Sequence, residues 1–259
     1  MRVLTKIISA TAVALSLVAA AAPVQAAVFA QFTPDTGKAI YRWVNSAANN
    51  NGTGGAFYTT ATPTANVAGA TSVHFGFLDP SLSDRTFSPA KFRLTTTVAS
   101  GHAAVFTPGA STWTQTDLNG GFSFIYTGAT HTYGTTQVLH NANLLSGTFT
   151  DAWIQGNGGT GSTNLSIGNG GVFSSLTSDF YDTSDVVAGS EEFALNLLAV
   201  TPVFGAKPLK ALKSFRANGG GNFSAVTMVP EPATWGLMIM GFGGVGFMVR
   251  RRRQGAAFA

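Results

Sequence analysis

Apolar and polar residues alternate in short stretches along most of the chain, and this alternation sets the expected fold. Val28-Phe29-Ala30-Gln31-Phe32, residues 71–78 and residues 91–98 all show period two, the pattern of strands with one buried face. Residues 121–127 put Phe122, Phe124 and Tyr126 on a single face that would bury well against a second sheet. Residues 144–153 and 172–176 continue the habit. Residues 192–200 are apolar on both faces for much of their length, which predicts a central strand, although so short an apolar run also fits a helix. Residues 39–48 fit a short helix or a strand, and Asn49-Asn50-Asn51-Gly52-Thr53-Gly54-Gly55 reads as a loop. A Gly/Asn-rich run over 156–171 has only Leu165 and Ile167 as apolar pegs, and Pro202 and Pro208 bracket a turn. Residues 211–217 and 222–228 read as a last strand pair joined by Asn218-Gly219-Gly220-Gly221, a hairpin signal. With no convincing helix and no fixed-period repeat, the body is expected to be all-β, an antiparallel β-sandwich of jelly-roll kind.

The two ends break this pattern. Residues 1–26 combine a basic start (Arg2, Lys6), an apolar run over 7–22 and a small-residue site at Val24-Gln25-Ala26, which predicts a secretory signal peptide cut between Ala26 and Ala27. Residues 27–228 are then the exported domain. At the other end Pro230 and Pro232 flank Glu231; both prolines fix φ and lack an N–H, so the triplet stands extended. Residues 233–249 contain no ionisable side chain, and as a helix they would reach roughly 25 Å, near the short end for a bilayer core of about 30 Å. Trp235 sits where an interfacial anchor belongs. Arg250, Arg251, Arg252 and Arg253 form a positive-inside stop, placing residues 254–259 in the cytoplasm and the body outside it.

Pro230, Glu231, Pro232 and Trp235, followed by a Gly- and Met-rich span and an arginine cluster, resemble the PEP-CTERM family of bacterial sorting signals in its PEPxxWA variant. Gly236 stands where that variant has Ala, a small-for-small change, and the resemblance covers residues 229–253 only. It implies processing by an exosortase, a membrane-embedded cysteine transpeptidase of Gram-negative bacteria that make exopolysaccharide. The implied partners are the secretory translocase, signal peptidase, the exosortase and an exopolysaccharide. The implied route is a transient stay in the inner membrane, then the cell surface or extracellular matrix, in a structural or adhesive role.

Charge and chemistry refine this picture. The net charge of +4 suggests nucleic acid until it is located. Arg2, Lys6 and the four terminal arginines are six of the 15 basic residues and Glu231 is one of the 11 acidic ones, so the body carries nine against ten. A nearly neutral body excludes the electrostatic case for a nucleic-acid partner. Cysteine is absent, which excludes disulfides, thiolate metal sites and a cysteine nucleophile. His74, His102, His131 and His140 are dispersed without metal-ligand spacing, and no Gly-x-Ser-x-Gly elbow occurs in the body. Glu191 and Glu192 are neighbours that a strand would send to opposite faces, so they do not form a glycosidase pair. A non-enzymatic body is therefore expected, with a sugar-binding module as the alternative and a secreted hydrolase as a more distant one. Trp43, Trp113 and Trp153 are the candidates to stack on sugar rings if exposed, against the usual place of Trp in a core. Asp179, Asp182 and Asp185 offer oxygen ligands that would suit Ca²⁺, against the plainer reading of an acidic turn. No other cofactor is indicated.

Overall fold

A computed structural model of the chain describes residues 26–78, 88–133, 136–167, 172–179 and 181–226. The expected signal peptide up to residue 25, the expected sorting segment 229–253 with its span 233–249, and the tail 254–259 lie outside the described residues. Among the described residues no helix is long and apolar enough to cross a membrane.

The alternating stretches fold as strands: β1 (Ala27–Pro34), β2 (Tyr41–Asn45), β3 (Gly55–Thr59), β4 (Thr71–Phe77), β5 (Ser88–Val98), β6 (Val105–Thr107) and β7 (Thr112–Tyr126). They continue with β8 (His131–Tyr133), β9 (Thr136–Val138), β10 (Asn143–Asn157), β11 (Thr163–Ile167), β12 (Val172–Thr177), β13 (Glu192–Thr201) and β14 (Phe215–Ala225). All pairings are antiparallel; β8 and β9 form a separate hairpin and the other 12 strands make one sheet. The all-β expectation holds. β1, β4, β5, β7, β10, β11, β13 and β14 pair in sequence and β14 pairs back to β1, so these eight strands close a hydrogen-bonded ring within one large antiparallel sheet. Closure leaves these strands without the open edges that invite association. β2 and β3 form a second bridge between β14 and β5, beside β1 and β4.

Two walls still face each other across the core, as in a sandwich. Phe122 and Phe124 on β7 meet Phe223 on β14 at ring-centroid distances of 5.0 and 5.8 Å, and Phe122 lies 5.5 Å from Phe193 on β13. Phe193 and Phe223 stack at 4.5 Å with an interplanar angle of 6°. Phe32 joins from β1, 4.9 Å from Phe124. Phe122, Phe124 and Tyr126 are all buried, as their shared face predicts.

Three expectations need correction. The run Asn218-Gly219-Gly220-Gly221 is the middle of β14, not a hairpin loop. A Cβ on Gly219 would stand 1.9 Å from the Asn196 carbonyl oxygen on β13, and one on Gly220 2.7 Å from the Phe32 carbonyl oxygen on β1. Glycine is there because two backbones close in from both sides, a use that sequence cannot separate from a turn. β13 is interior in its pairing but buries one face: Phe193, Leu195 and Leu197 are inside while Leu198 is 57% exposed. The Gly/Asn-rich run contains β11, and residues 211–214 precede β14 instead of belonging to it.

Candidate functional site

The outer face of β7, β10 and β11 carries the arrangement best suited to a ligand. Ala152 and Ile154 on β10 are fully buried, so period-two geometry turns Trp153, Gln155 and Asn157 outward. Trp153 is partly exposed and pairs with Ser166 of β11; Gln155 pairs with Asn164 of β11 and Thr114 of β7. At Gln155 the surface sinks into a cleft of about 240 Å³ lined by Thr112, Gln155, Gly156, Asn157, Thr160, Ser162, Thr163 and Asn164.

Every side chain in that cleft is a neutral hydroxyl or amide, and several hold one another in place. Gln155 Nε2 donates to Thr114 Oγ1 at 2.9 Å, and Thr112 Oγ1 to Asn157 Oδ1 at 3.3 Å. Thr160 Oγ1 lies 2.7 Å from the Asn157 carbonyl and 2.9 Å from that of Ser162, and Thr163 Oγ1 donates to the Gln155 carbonyl. The Gln155 and Asn164 amides keep donors and acceptors for an incoming polar ligand. A fixed array of hydroxyls and amides beside an indole face is chemically matched to sugar hydroxyls and the apolar face of a sugar ring.

The remaining predicted residues are scattered. Trp43 is entirely buried and donates its Nε1–H to the Leu212 carbonyl at 2.9 Å; it is a core residue and not a sugar platform. Trp113 packs on Phe106 at 4.8 Å, directly across the β6–β7 pair. It shares a face with buried Gln115 and so points away from Trp153. Asp179 accepts the Asn143 backbone N–H at 2.9 Å, and Asp182 caps the 3-10 turn Thr183–Asp185 through Ser184. The Ser184 hydroxyl and N–H hold the Asp182 carboxyl below its usual range. The Asp185 side chain lies outside the described ones, and among the described residues no three His, Asp or Glu side chains converge on a metal position. Ala26 and Ala27 are exposed where the chain enters β1.

Two histidines pair with acids: His74 Nε2 with Asp35 Oδ1 at 3.0 Å, and His102 Nδ1 with Asp117 Oδ2 at 2.8 Å. The Thr116 hydroxyl, and after it His102, keeps the Asp117 carboxyl below its ordinary value. Gln155, Asn157 and the 160–164 segment escape notice in the sequence because they sit at the edge of a run that reads as loop. The one available signal is the alternation Trp153, Gln155, Asn157 against Ala152 and Ile154.

The clearest functional assignment lies in the segment that follows β14. Residues 229–253 match the PEP-CTERM protein-sorting motif. The motif implies export, an exosortase as the processing partner and membrane-anchored sorting through the C-terminal region. Pro230, Glu231, Pro232, Trp235 and the four terminal arginines all fall within the matched stretch. Comparisons with curated proteins and with solved structures return no match for the chain.

Proposed function

We propose that this chain is a non-enzymatic structural or adhesive protein of the cell surface or extracellular matrix, cut by an exosortase near Pro230-Glu231-Pro232 and delivered into an exopolysaccharide layer. The observation that carries this reading is the PEP-CTERM match set directly behind a closed β-body, with three residues between Ala225 and Val229. On this route residues 1–26 are removed by signal peptidase, residues 233–249 hold the chain in the inner membrane, and Arg250 to Arg253 keep its end in the cytoplasm. Replacing Glu231 and Trp235 together should trap the full-length chain in the membrane fraction. Normal maturation of that variant, read by mass spectrometry of both termini, would remove the exosortase step.

A second reading, a glycan-binding module, is favoured by the neutral cleft beside Trp153. It is tested with Trp153→Ala and Gln155→Ala on a glycan array. Each should abolish or weaken by about tenfold any neutral-glycan signal of the wild type, the loss expected when stacking or a buried hydrogen bond is removed. A signal unchanged in both variants would exclude this face.

A further inference from the structure

On the opposite bridge of the sheet, a row of directly paired residues crosses three strands: Thr201 on β13, Arg216 on β14 and Arg42 on β2. Cross-strand like charges repel, so two arginines in register need a compensating partner. Among the described residues no carboxylate supplies it. Arg216 donates from Nη1 to the Pro63 carbonyl at 2.6 Å, and from Nη2 to the Thr64 and Ala65 carbonyls and to Asn66 Oδ1 at 3.3, 3.1 and 2.8 Å. Arg42 donates from Nη1 alone, to the Ala65 carbonyl at 3.2 Å and to Asn66 Oδ1. The two guanidiniums thus strap the 63–66 segment through neutral acceptors. Nε and Nη2 of Arg42 have no hydrogen-bond partner among the described residues.

That unused Nε–Nη2 edge is the fork that grips a carboxylate through two parallel N–H···O bonds. Arg42 also borders a recess of about 190 Å³, with Trp43, Thr201, Pro202, Ser214, Phe215 and Arg216. It is below the roughly 300–1,000 Å³ of a drug-sized site, which suits one residue of a longer chain. Thr201 and Ser214 bring hydroxyls and Pro202 an apolar ring face. The connection from β13 to β14 adds Lys207, Lys210 and Lys213, and no acid occurs between Glu192 and Glu231. Lys207 is held by the Asn49 carbonyl at 2.6 Å and Asn51 Oδ1 at 3.0 Å, again neutral. The nearly neutral body is therefore polarised along the sequence: Asp179, Asp182, Asp185 and Glu191 precede β13, Glu192 opens it, and these cations follow it.

We propose that the Arg42–Arg216 recess binds a carboxylate-bearing polysaccharide, one uronate-type residue at a time, with the lysines of the 201–214 connection attracting the neighbouring carboxylates. Two hydroxyls, from Thr201 and Ser214, set among the apolar Pro202, Trp43 and Phe215 favour a sugar, with its hydroxyls and apolar ring face, over an acidic polypeptide. This site is separate from the neutral cleft and goes beyond the structural or adhesive reading by naming a ligand class.

The test is biolayer interferometry with the full chain in detergent against polygalacturonate, polyglutamate and neutral dextran at low and at 0.5 M salt, roughly Debye lengths above and below the charge spacing. Polygalacturonate should bind at low salt and weaken with salt, with dextran silent and polyglutamate at least about tenfold weaker. Arg42→Lys keeps the charge but removes the fork and should cost about tenfold. Thr201→Val leaves both arginines and the strapped segment in place and should cost about threefold, which keeps the test open if Arg42→Lys unfolds. Equal binding of dextran or polyglutamate overturns the ligand class; undiminished affinity in folded Arg42→Lys, or in Thr201→Val should the other variant unfold, overturns the site. Exosortase processing is read on separate variants, so either idea can fail alone.

Discussion

Asn45 is the side chain on which the 205–214 connection hangs, and its replacement by Ala has a calculable cost. It ends β2 with 5% exposure. Its Oδ1 accepts the Gly52 N–H at 2.8 Å and the Ala47 N–H at 3.1 Å; its Nδ2 donates to the Leu212 carbonyl at 3.0 Å, with longer contacts to the Gly52 and Ala211 carbonyls at 3.3 and 3.4 Å. Three good bonds at a net of about 1 kcal/mol each give about 3 kcal/mol. The buried Gly52 N–H loses its Oδ1 acceptor, which adds up to about 2 kcal/mol, whereas the Leu212 carbonyl keeps the Trp43 indole N–H. Asn45→Ala should therefore lose about 3–5 kcal/mol, or roughly 6–20 °C in Tm for a domain of this size. Urea unfolding followed by tryptophan fluorescence is a direct assay, since Trp43 sits in the same network. Asn45→Asp keeps both acceptor functions but turns an acceptor on the Leu212 carbonyl, so it should not rescue. A loss below about 1 kcal/mol with an unchanged denaturant slope would refute the assignment of this network as a clamp.

Three further outcomes follow from geometry already given. Gly219→Ala drives a methyl to 1.9 Å from the Asn196 oxygen and should cost about 3 kcal/mol or prevent folding, read as lost soluble yield or a lowered urea midpoint. Phe223→Ala removes the ring that stacks on Phe193 and meets Phe122 and Phe124, at about 3–5 kcal/mol in the same unfolding assay. Asp117 is stabilised as a carboxylate by Thr116 and His102, so its contribution is complete above the ordinary carboxyl value of about 3.9 and fades as pH falls through the lower folded value. Asp117→Asn should thus be less stable than wild type at neutral pH by under about 1 kcal/mol, the pair being partly exposed, and the gap should close in acid; a gap constant with pH would contradict it.

How far the sequence reveals this molecule depends on which residues define each part. β4, β5 and the second half of β7 are legible because a strict alternation with Phe at the buried positions has one structural meaning. β14 is not, because its glycines answer to the approach of β1 and β13, which lie far away in sequence. Trp43 and Trp153 look alike as letters; only pairing shows that one points into the core and the other out. The asparagines of the 45–52 turn suggest a plain loop, yet Asn45 and Asn50 clamp a segment more than 150 positions away, Asn50 through its Oδ1 to the Ser214 N–H at 2.8 Å. Of the two proposed ligand surfaces, the neutral cleft leaves a faint trace in the alternation along β10, and the Arg42–Arg216 pair leaves none, since register alone makes them neighbours.

The position of β14 fixes an order of events during export. On the proposed export route the chain crosses the membrane from its N-terminus and delivers β1, β2 and β13 first, and each keeps one edge waiting for the hydrogen bonds that residues 215–225 supply. On that route those residues would emerge just ahead of the sorting segment, so the ring would close only as residues 229–253 reach the bilayer. A chain cut short before Phe215 would reach the far side with three unpaired edges, and aggregation would remove it before it could be mistaken for finished product.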